Sequence, residues 1–479
     1  MIKNERQYQL SRAQIREFES AITNVDQIPL PDDVHPDLLA AQKDALQSQL
    51  EELIHDVKVY EALKTGKITN FEANSLDELP LMLMKARIAR GVTHKELACR
   101  LGVKEQQVQR WESNDFAGAS LDNLNSIANA LGVVFTQRLY VPKKGVTAKA
   151  FLEFLSQVGL PTDFLLRRIV PDQVADAFRG GTASLKEIVQ TAVTVAMVFA
   201  LKTKDLVDLR APNFSFPLVA ATKFKLPSRL NKQAVTGYTV YAHYLAALVA
   251  QCAEHKQTRE FPTSAHNFFT AVTADDNPMS LDGVIRFLWN CGIAVLPLAD
   301  AGGFHGAVWK ISGRYVMVLK QSTPLESRWL YDALHESGHI KNGDVTEDVA
   351  LIEDQEIAPD SSIPEEEAAN EWAEDTLFDS RSEEIEEACT RACRGHLPAL
   401  KAALPQVAKD FNINIGALAN HMAYRLAQQR ENWWGAAHNL QERGRAPIDI
   451  TRDILLENTN LFRLSDFDRA LLERALNDE

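Results

Sequence analysis

A chain of 479 residues, 46% hydrophobic and 24% charged, is too long for one ordinary core and too apolar to be disordered or fibrous, so two or three domains are expected. Its net charge of −14 excludes a protein that coats nucleic acid over its whole surface, and five cysteines, an odd number, exclude a closed disulfide framework and fit a reducing cytoplasm. The charge is uneven: Asp344 to Glu387 holds 18 acids against Arg381 alone, whereas Leu81 to Trp111 carries seven Lys or Arg and two Glu, which suggests two surfaces with different partners.

The opening segment MIKNERQYQLSRAQ has no apolar core and does not read as a secretory signal. Residues 1–30 read as an amphipathic helical segment ending at Pro29 and Pro31. Pro36 opens a long helix in which Leu39, Leu46, Leu50, Leu53, Val57 and Tyr60 fall near heptad spacing, and Gly66 closes it. A helical hairpin and a dimerising helix, hence a homodimer, both fit that pattern. Ser75 with Glu78 forms a capping box for a helix ending at Gly91, and short helices follow over 93–101, 104–113 and 121–131. From Val146 to about Lys256 the pattern is helical, broken at Pro161, Pro171, Gly180-Gly181 and between Pro212 and Pro227. Its most apolar run, Val189 to Leu201, is too short for a bilayer and contains Gln190, so a buried helix and no membrane association are expected. Strand signals cluster at 292–320, as GIAVLPL, FHGAVWKI and RYVMVLK, with Gly302-Gly303 and Ser312-Gly313 as turns. Helices resume at Pro324 and run, with breaks, to the end.

The first motif lies between Thr93 and Glu112, where two helices flank a tight turn at Gly102. Leu97, Ala98, Leu101, Val103, Val108 and Trp111 supply a compact apolar core. Lys104, Glu105, Gln106, Gln107, Gln109 and Arg110 project outward, and Gln and Arg can make bidentate contacts to adenine and guanine edges in a major groove. Glu105, at the leading edge, opposes phosphate. The stretch resembles the Xre, phage-repressor type of DNA-binding domain over about residues 76–136. That resemblance implies double-stranded DNA as a partner, with Thr93, His94, Lys104, Gln106, Gln107, Gln109 and Arg110 as the contacting set.

The second motif is Leu334-His-Glu-Ser-Gly-His339, an HExxH pattern. On a helix the i, i+4 spacing puts both imidazoles on one face, where each can offer a nitrogen to one ion, and Glu336 lies beside that face as a general base toward water on the metal. Pro324 and Glu326 start the helix and Gly343 stops it. Zinc with two histidines needs a third protein ligand. The helix opened by Pro364 offers Glu365, Glu366 and Glu367, and one of its faces carries Glu366, Asn370, Ala373 and Leu377.

These residues resemble the ImmA/IrrE family of metallopeptidases, whose HExxH is followed by a helix reading E-x-x-A-N-x-F-A; here it reads Glu366-Glu-Ala-Ala369-Asn370-Glu-Trp372-Ala373. The strands over 292–320, Arg328 before the motif and the helical unit at 407–426 are similar too, so the likeness covers about 235–430. It implies His335, His339 and Glu366 as ligands of one Zn2+ (with Mn2+ as the alternative ion), Glu336 as base, and Asn370 and Arg328 as residues supporting the ligands. Trp372 replaces the family's Phe, and Ile340-Lys-Asn-Gly-Asp344 departs from the apolar continuation common after the second histidine.

The expected fold is mostly α with a small α+β zincin-like domain: an N-terminal helical segment (1–70), a helix-turn-helix domain (71–140), a helical connector (141–234), the metallopeptidase-like domain (235–430) and a helical extension (431–479). The expected function is a cytoplasmic DNA-binding regulator whose peptidase cleaves a partner protein, a repressor or an antitoxin, in stress response or mobile-element control. A basic substrate suits the acidic flank. Two other readings fit the same residues: a non-proteolytic transcription factor or antitoxin with a metal-binding sensor domain, and a toxin or phage-defence effector restrained by its N-terminal half. Cys389, Cys393 and His396 are better explained by packing than by a second metal, His305 by a surface turn, and Trp433-Trp434 by core or interface.

Overall fold

The computed structural model describes residues 1–27, 36–66, 68, 71, 78–116, 119–134, 145–210, 223–224, 232–254, 257–273, 278–300, 304, 306–321, 323–345, 351–352, 364–441 and 444–477. His305, Ser75, Pro29, Pro31 and the Gly302-Gly303 turn lie outside them. The chain divides into two compact units: Met1–Leu139 with Leu461–Arg469, and Tyr140–Asn460 with Ala470–Glu479.

The first unit is helical: α1 (Glu5–Gln27), α2 (Pro36–Lys64), α3 (Leu79–Ala89), α4 (His94–Leu101), α5 (Glu105–Ser113) and α6 (Leu121–Leu131). α1 and α2 pack on each other as a hairpin, the first of the two arrangements their spacing allows. Tyr8, Val57, Tyr60 and Leu63 from the hairpin enter the same buried cluster as Leu83, Met84, Leu97, Val108, Ile127 and Leu131. The segments read as 1–70 and 71–140 therefore share one core. Thr93 caps α4 in a reciprocal capping box with Glu96, and Gly102 ends it at φ 67°, in the left-handed region that favours glycine.

In the second unit, helices over Ala148–Gln157, Asp172–Arg179 and Leu185–Val198 precede the first strand, and the helix Lys232–Cys252 follows it. The apolar run at 189–201 is a buried helix as far as Val198, with Ala192, Val195 and Val198 all inside, and no helix among the described residues is long and apolar enough to cross a membrane. The stretch read as a connector belongs to this unit. Buried Arg168 donates to Asp300 Oδ1 at 2.7 Å and to the carbonyls of Arg474 and Asn477, tying that stretch to its neighbours.

The sheet contains β1 (Lys223–Phe224), β2 (Ala294–Leu298), β3 (Gly306–Ile311), β4 (Arg314–Lys320) and β5 (Leu351–Ile352), in the order β1-β5-β3-β4-β2. β3 and β4 form an antiparallel hairpin whose turn residues Ser312 and Gly313 both have positive φ, 50° and 81°, the pair of values that keeps the strands' natural twist. β2 runs parallel to β4, and all five of its residues are buried. Runs such as Val316–Leu319, apolar at consecutive positions, suit strands covered on both faces. The helix Glu326–Asn342 packs against β3, β4 and, most extensively, the helix Pro364–Phe378.

Candidate metal centre and DNA-reading helix

The helix Glu326–Asn342 buries an unbroken run from Ala333 to Ile340, so the HExxH residues face protein and not solvent. One turn apart, the rings of His335 and His339 meet edge to face with centroids 4.9 Å apart, and their Nε2 atoms are 3.2 Å apart. Glu366 Oε2 lies 3.5 Å from His335 Nε2, and its Oε1 lies 3.9 Å from His339 Nε2. Among the described residues these three form a group whose ligand atoms all lie within 4.8 Å of one another. Of the three consecutive carboxylates, the helix brings Glu366 to the histidines.

Each imidazole is held from behind. His335 Nδ1 is 3.0 Å from Asn370 Oδ1, which also accepts from the Tyr331 hydroxyl at 2.7 Å. His339 Nδ1 is 3.0 Å from Asp344 Oδ2. Oxygen acceptors at both Nδ1 atoms favour the proton there and leave both Nε2 atoms free to donate a lone pair. Burial, with the His335 ring beside it, holds His339 below the ordinary imidazole range, while Asp344 and Glu366 pull the other way.

The donor set suits a divalent ion. Two nitrogens bonded at about 2.0–2.1 Å to one tetrahedral centre stand about 3.3 Å apart, close to the observed 3.2 Å. Two nitrogen lone pairs facing each other at that distance repel unless a cation or proton lies between them.

Two glycines set the distances. Gly338 is where the two helices touch: a Cβ there would meet Ala369 Cα at 3.0 Å and Trp372 Cδ1 at 3.1 Å. Trp372 donates its indole N–H to Ser337 Oγ at 2.9 Å, a bond that a Phe at this position could not make. Gly306, the first residue of β3, faces Glu336, and a Cβ there would lie 2.0 Å from Glu336 Oε1. Arg328 pairs with Asp332 at 3.3 Å and lies over the Tyr331 ring, whose hydroxyl reaches Asn370, so it stands one step removed from His335. Asp344, Gly306, Gly338 and Tyr331 escape the sequence reading. For Asp344 a signal exists, since a carboxylate directly after a helix-ending glycine returns toward the last turn.

Elsewhere Cys389 and Cys393 are buried and His396 is exposed, and they form no metal-holding group among the described residues. Burial pushes the Cys389 thiol up to about 11. Glu374, Glu386 and His421 do come together, but Glu386 is already paired with His421 at 2.9 Å and Arg425 at 3.0 Å.

In the first unit, Lys104, Gln106, Gln109 and Arg110 are exposed and Gln107 is half-buried on the outer side of α5. Gln109 donates to Glu105 at 3.0 Å, so the acid at the leading edge is engaged along its own helix. Thr93 uses its hydroxyl in the capping box. His94 turns inward, with Nε2 2.8 Å from Glu112 Oε2. Glu112 is also gripped by Arg87 at 2.6 and 2.7 Å, and Arg87 Nη2 donates to the Lys3 carbonyl. Burial pushes the Glu112 carboxyl up, but the bonds from His94 and Arg87 outweigh it and hold the group below the ordinary carboxylate range. Lys3 Nζ completes the tie, donating to the Glu112 carbonyl at 2.8 Å.

A helix-turn-helix family model matches residues 83–135. The match covers α4, α5, α6 and most of α3, and it supports a DNA-binding regulator role for this chain. Comparison with curated proteins and with solved structures yields no significant match.

Proposed function

We propose that this chain is a DNA-binding regulator whose second unit carries a zinc metallopeptidase site directed at a regulatory partner protein, a repressor or an antitoxin. One observation carries the enzymatic half: His335, His339 and Glu366, from two helices, converge with ligand atoms within 4.8 Å of one another, and Glu336 lies on the same helix as the histidines. These three residues would hold Zn2+, or Mn2+ in its place, and a bound ion supplies Lewis acidity toward water and toward a peptide carbonyl.

The chain's own residues do the rest. Asn370 and Asp344 keep the imidazoles in the tautomer that offers Nε2. Glu336, confined between its helix and Gly306, takes the proton from the attacking water and delivers it to the departing amine. The acid excess between Asp344 and Glu387 supports a basic substrate, as a DNA-binding protein would be.

The test has two parts. Purified protein should hold one zinc per chain, and His335→Ala should lose it. Cells carrying wild type should show a cleaved protein fragment that is missing with Glu336→Gln, while zinc content and DNA binding stay intact. Equal cleavage by Glu336→Gln would sink the peptidase reading.

A further inference from the structure

We propose that Asp344 is the positioning residue that sets metal affinity at this centre, acting through His339; the inference rests on the metal-centre reading above. Its carboxylate lies 3.0 Å from His339 Nδ1, and its side chain is only 14% exposed, so water screens the contact little. The placement is built by the end of the helix. Gly343 turns the chain at φ 77°, and the Asp344 N–H donates back to the His339 carbonyl at 3.1 Å. Ring and carboxylate are thereby referred to one residue, His339, which holds Asp344 by its backbone and is held by Asp344 at its side chain.

The two histidines are not equivalent. Behind His335 stands a neutral amide oxygen that is shared with the Tyr331 hydroxyl. Behind His339 stands a carboxylate. An ionised acceptor at Nδ1 pushes electron density through the ring to Nε2 and fixes the ring's rotation more tightly than an amide does. His339 is therefore the stronger donor of the pair, and the departure Lys341-Asn-Gly-Asp344 from an apolar continuation is the feature that makes it so. Replacing the side chain leaves the backbone bond from residue 344 to His339 in place, so the helix end need not unravel.

The experiment is zinc titration of the metal-free full chain against a chromophoric chelator, for wild type, Asp344→Asn and Asp344→Ala, with thermal melts of the metal-free proteins alongside. Asp344→Ala should bind zinc about 10- to 100-fold more weakly. Asp344→Asn, which keeps an acceptor oxygen but loses the charge, should fall between. The metal-free melts should coincide. Affinities within about threefold of wild type for both variants would overturn this inference and leave the metal centre standing. Weaker binding matched by an equally lowered metal-free melt would make Asp344 structural and also overturn it. A wild-type chain that takes up no zinc would overturn both readings.

Discussion

A methyl group added at Gly306 would stand 2.0 Å from Glu336 Oε1, nearer than two non-bonded atoms can approach, so Gly306→Ala must move either the strand or the carboxylate. Overpacking of this kind costs about 1–3 kcal/mol, and the expected outcome is a modest drop in melting temperature, lost cleavage and retained zinc. At Gly338 the neighbour is backbone, Ala369 Cα at 3.0 Å, which cannot swing aside. Gly338→Ala should spread the two helices, draw Glu366 from the histidines and weaken zinc binding, and Gly338→Leu should do so more severely in the same titration. Lys320 makes a different residue-scale prediction. It is buried with its ammonium 5.1 Å from the Tyr238 ring centre, and burial pushes it down to about 8 although Asp300 pulls the other way. At this group the unfolded chain binds more protons between about pH 8 and 10.5, so the Lys320 contribution to stability rises with pH through that window, by about 3 kcal/mol, while the buried thiols of Cys291 and Cys389, raised to about 11, pull the other way. Between urea melts at pH 7.5 and pH 10, Lys320→Met should therefore change less favourably with pH than wild type. None of these residues announces itself in the sequence. A glycine inside an x position of HExxH, or at the first residue of a strand, reads as neutral until the neighbouring helix is in place.

Helices were the most legible elements. Proline, capping and glycine signals predict the stretches 93–101, 104–113 and 121–131, and the observed His94–Leu101, Glu105–Ser113 and Leu121–Leu131 differ only where Thr93 and Lys104 act as caps. The parallel pairing of β2 with β4 was not legible, because consecutive apolar residues mark a strand without saying which neighbour it takes. The two sides of α5 differ. Gln106, Gln109 and Arg110, with the capping Lys104, are exposed and Gln107 is half-buried, while Glu112 anchors the helix to Arg87, His94 and Lys3. The resemblance includes His94 in the DNA-contacting set, whereas its partner 18 residues away is a tertiary contact that no local pattern shows. Arg110→Ala and Gln106→Ala should weaken DNA binding while leaving the melt unchanged, and Arg110→Ala should also reduce the salt dependence of binding if that side chain reaches phosphate. Glu112→Ala strands Arg87, and removing one partner of a buried pair costs about 3–5 kcal/mol. Because the Glu112 carboxyl is lowered in the folded chain, its stabilisation is present above the unfolded carboxylate range and is lost as pH falls through the folded value. Acid melts of Glu112→Gln should lack that component.

At the scale of the whole molecule, a length of 479 residues implies more than one core, and the chain divides into two compact units. The expected boundary at residue 70 does not separate two cores: Tyr8, Val57 and Leu63 pack into the core of the helix-turn-helix, since its short helices alone bury little apolar surface. Less legible still was Leu461–Arg469, which returns from the far end of the chain to the first unit, where Asp466 pairs with Lys85 and Phe462 lies 5.6 Å from the His55 ring. Replacing Phe462 and Asp466 together by alanine should therefore lower the melting temperature of the DNA-binding unit, read as the temperature at which DNA binding is lost. That return also changes what cutting this chain can achieve. Scission anywhere between residues 140 and 460 leaves the DNA-binding unit as two pieces on two polypeptides, 1–139 on one and 461–469 on the other. A cut chain would behave as a split protein whose halves hold together by complementation, and a single nick would not release a finished repressor head.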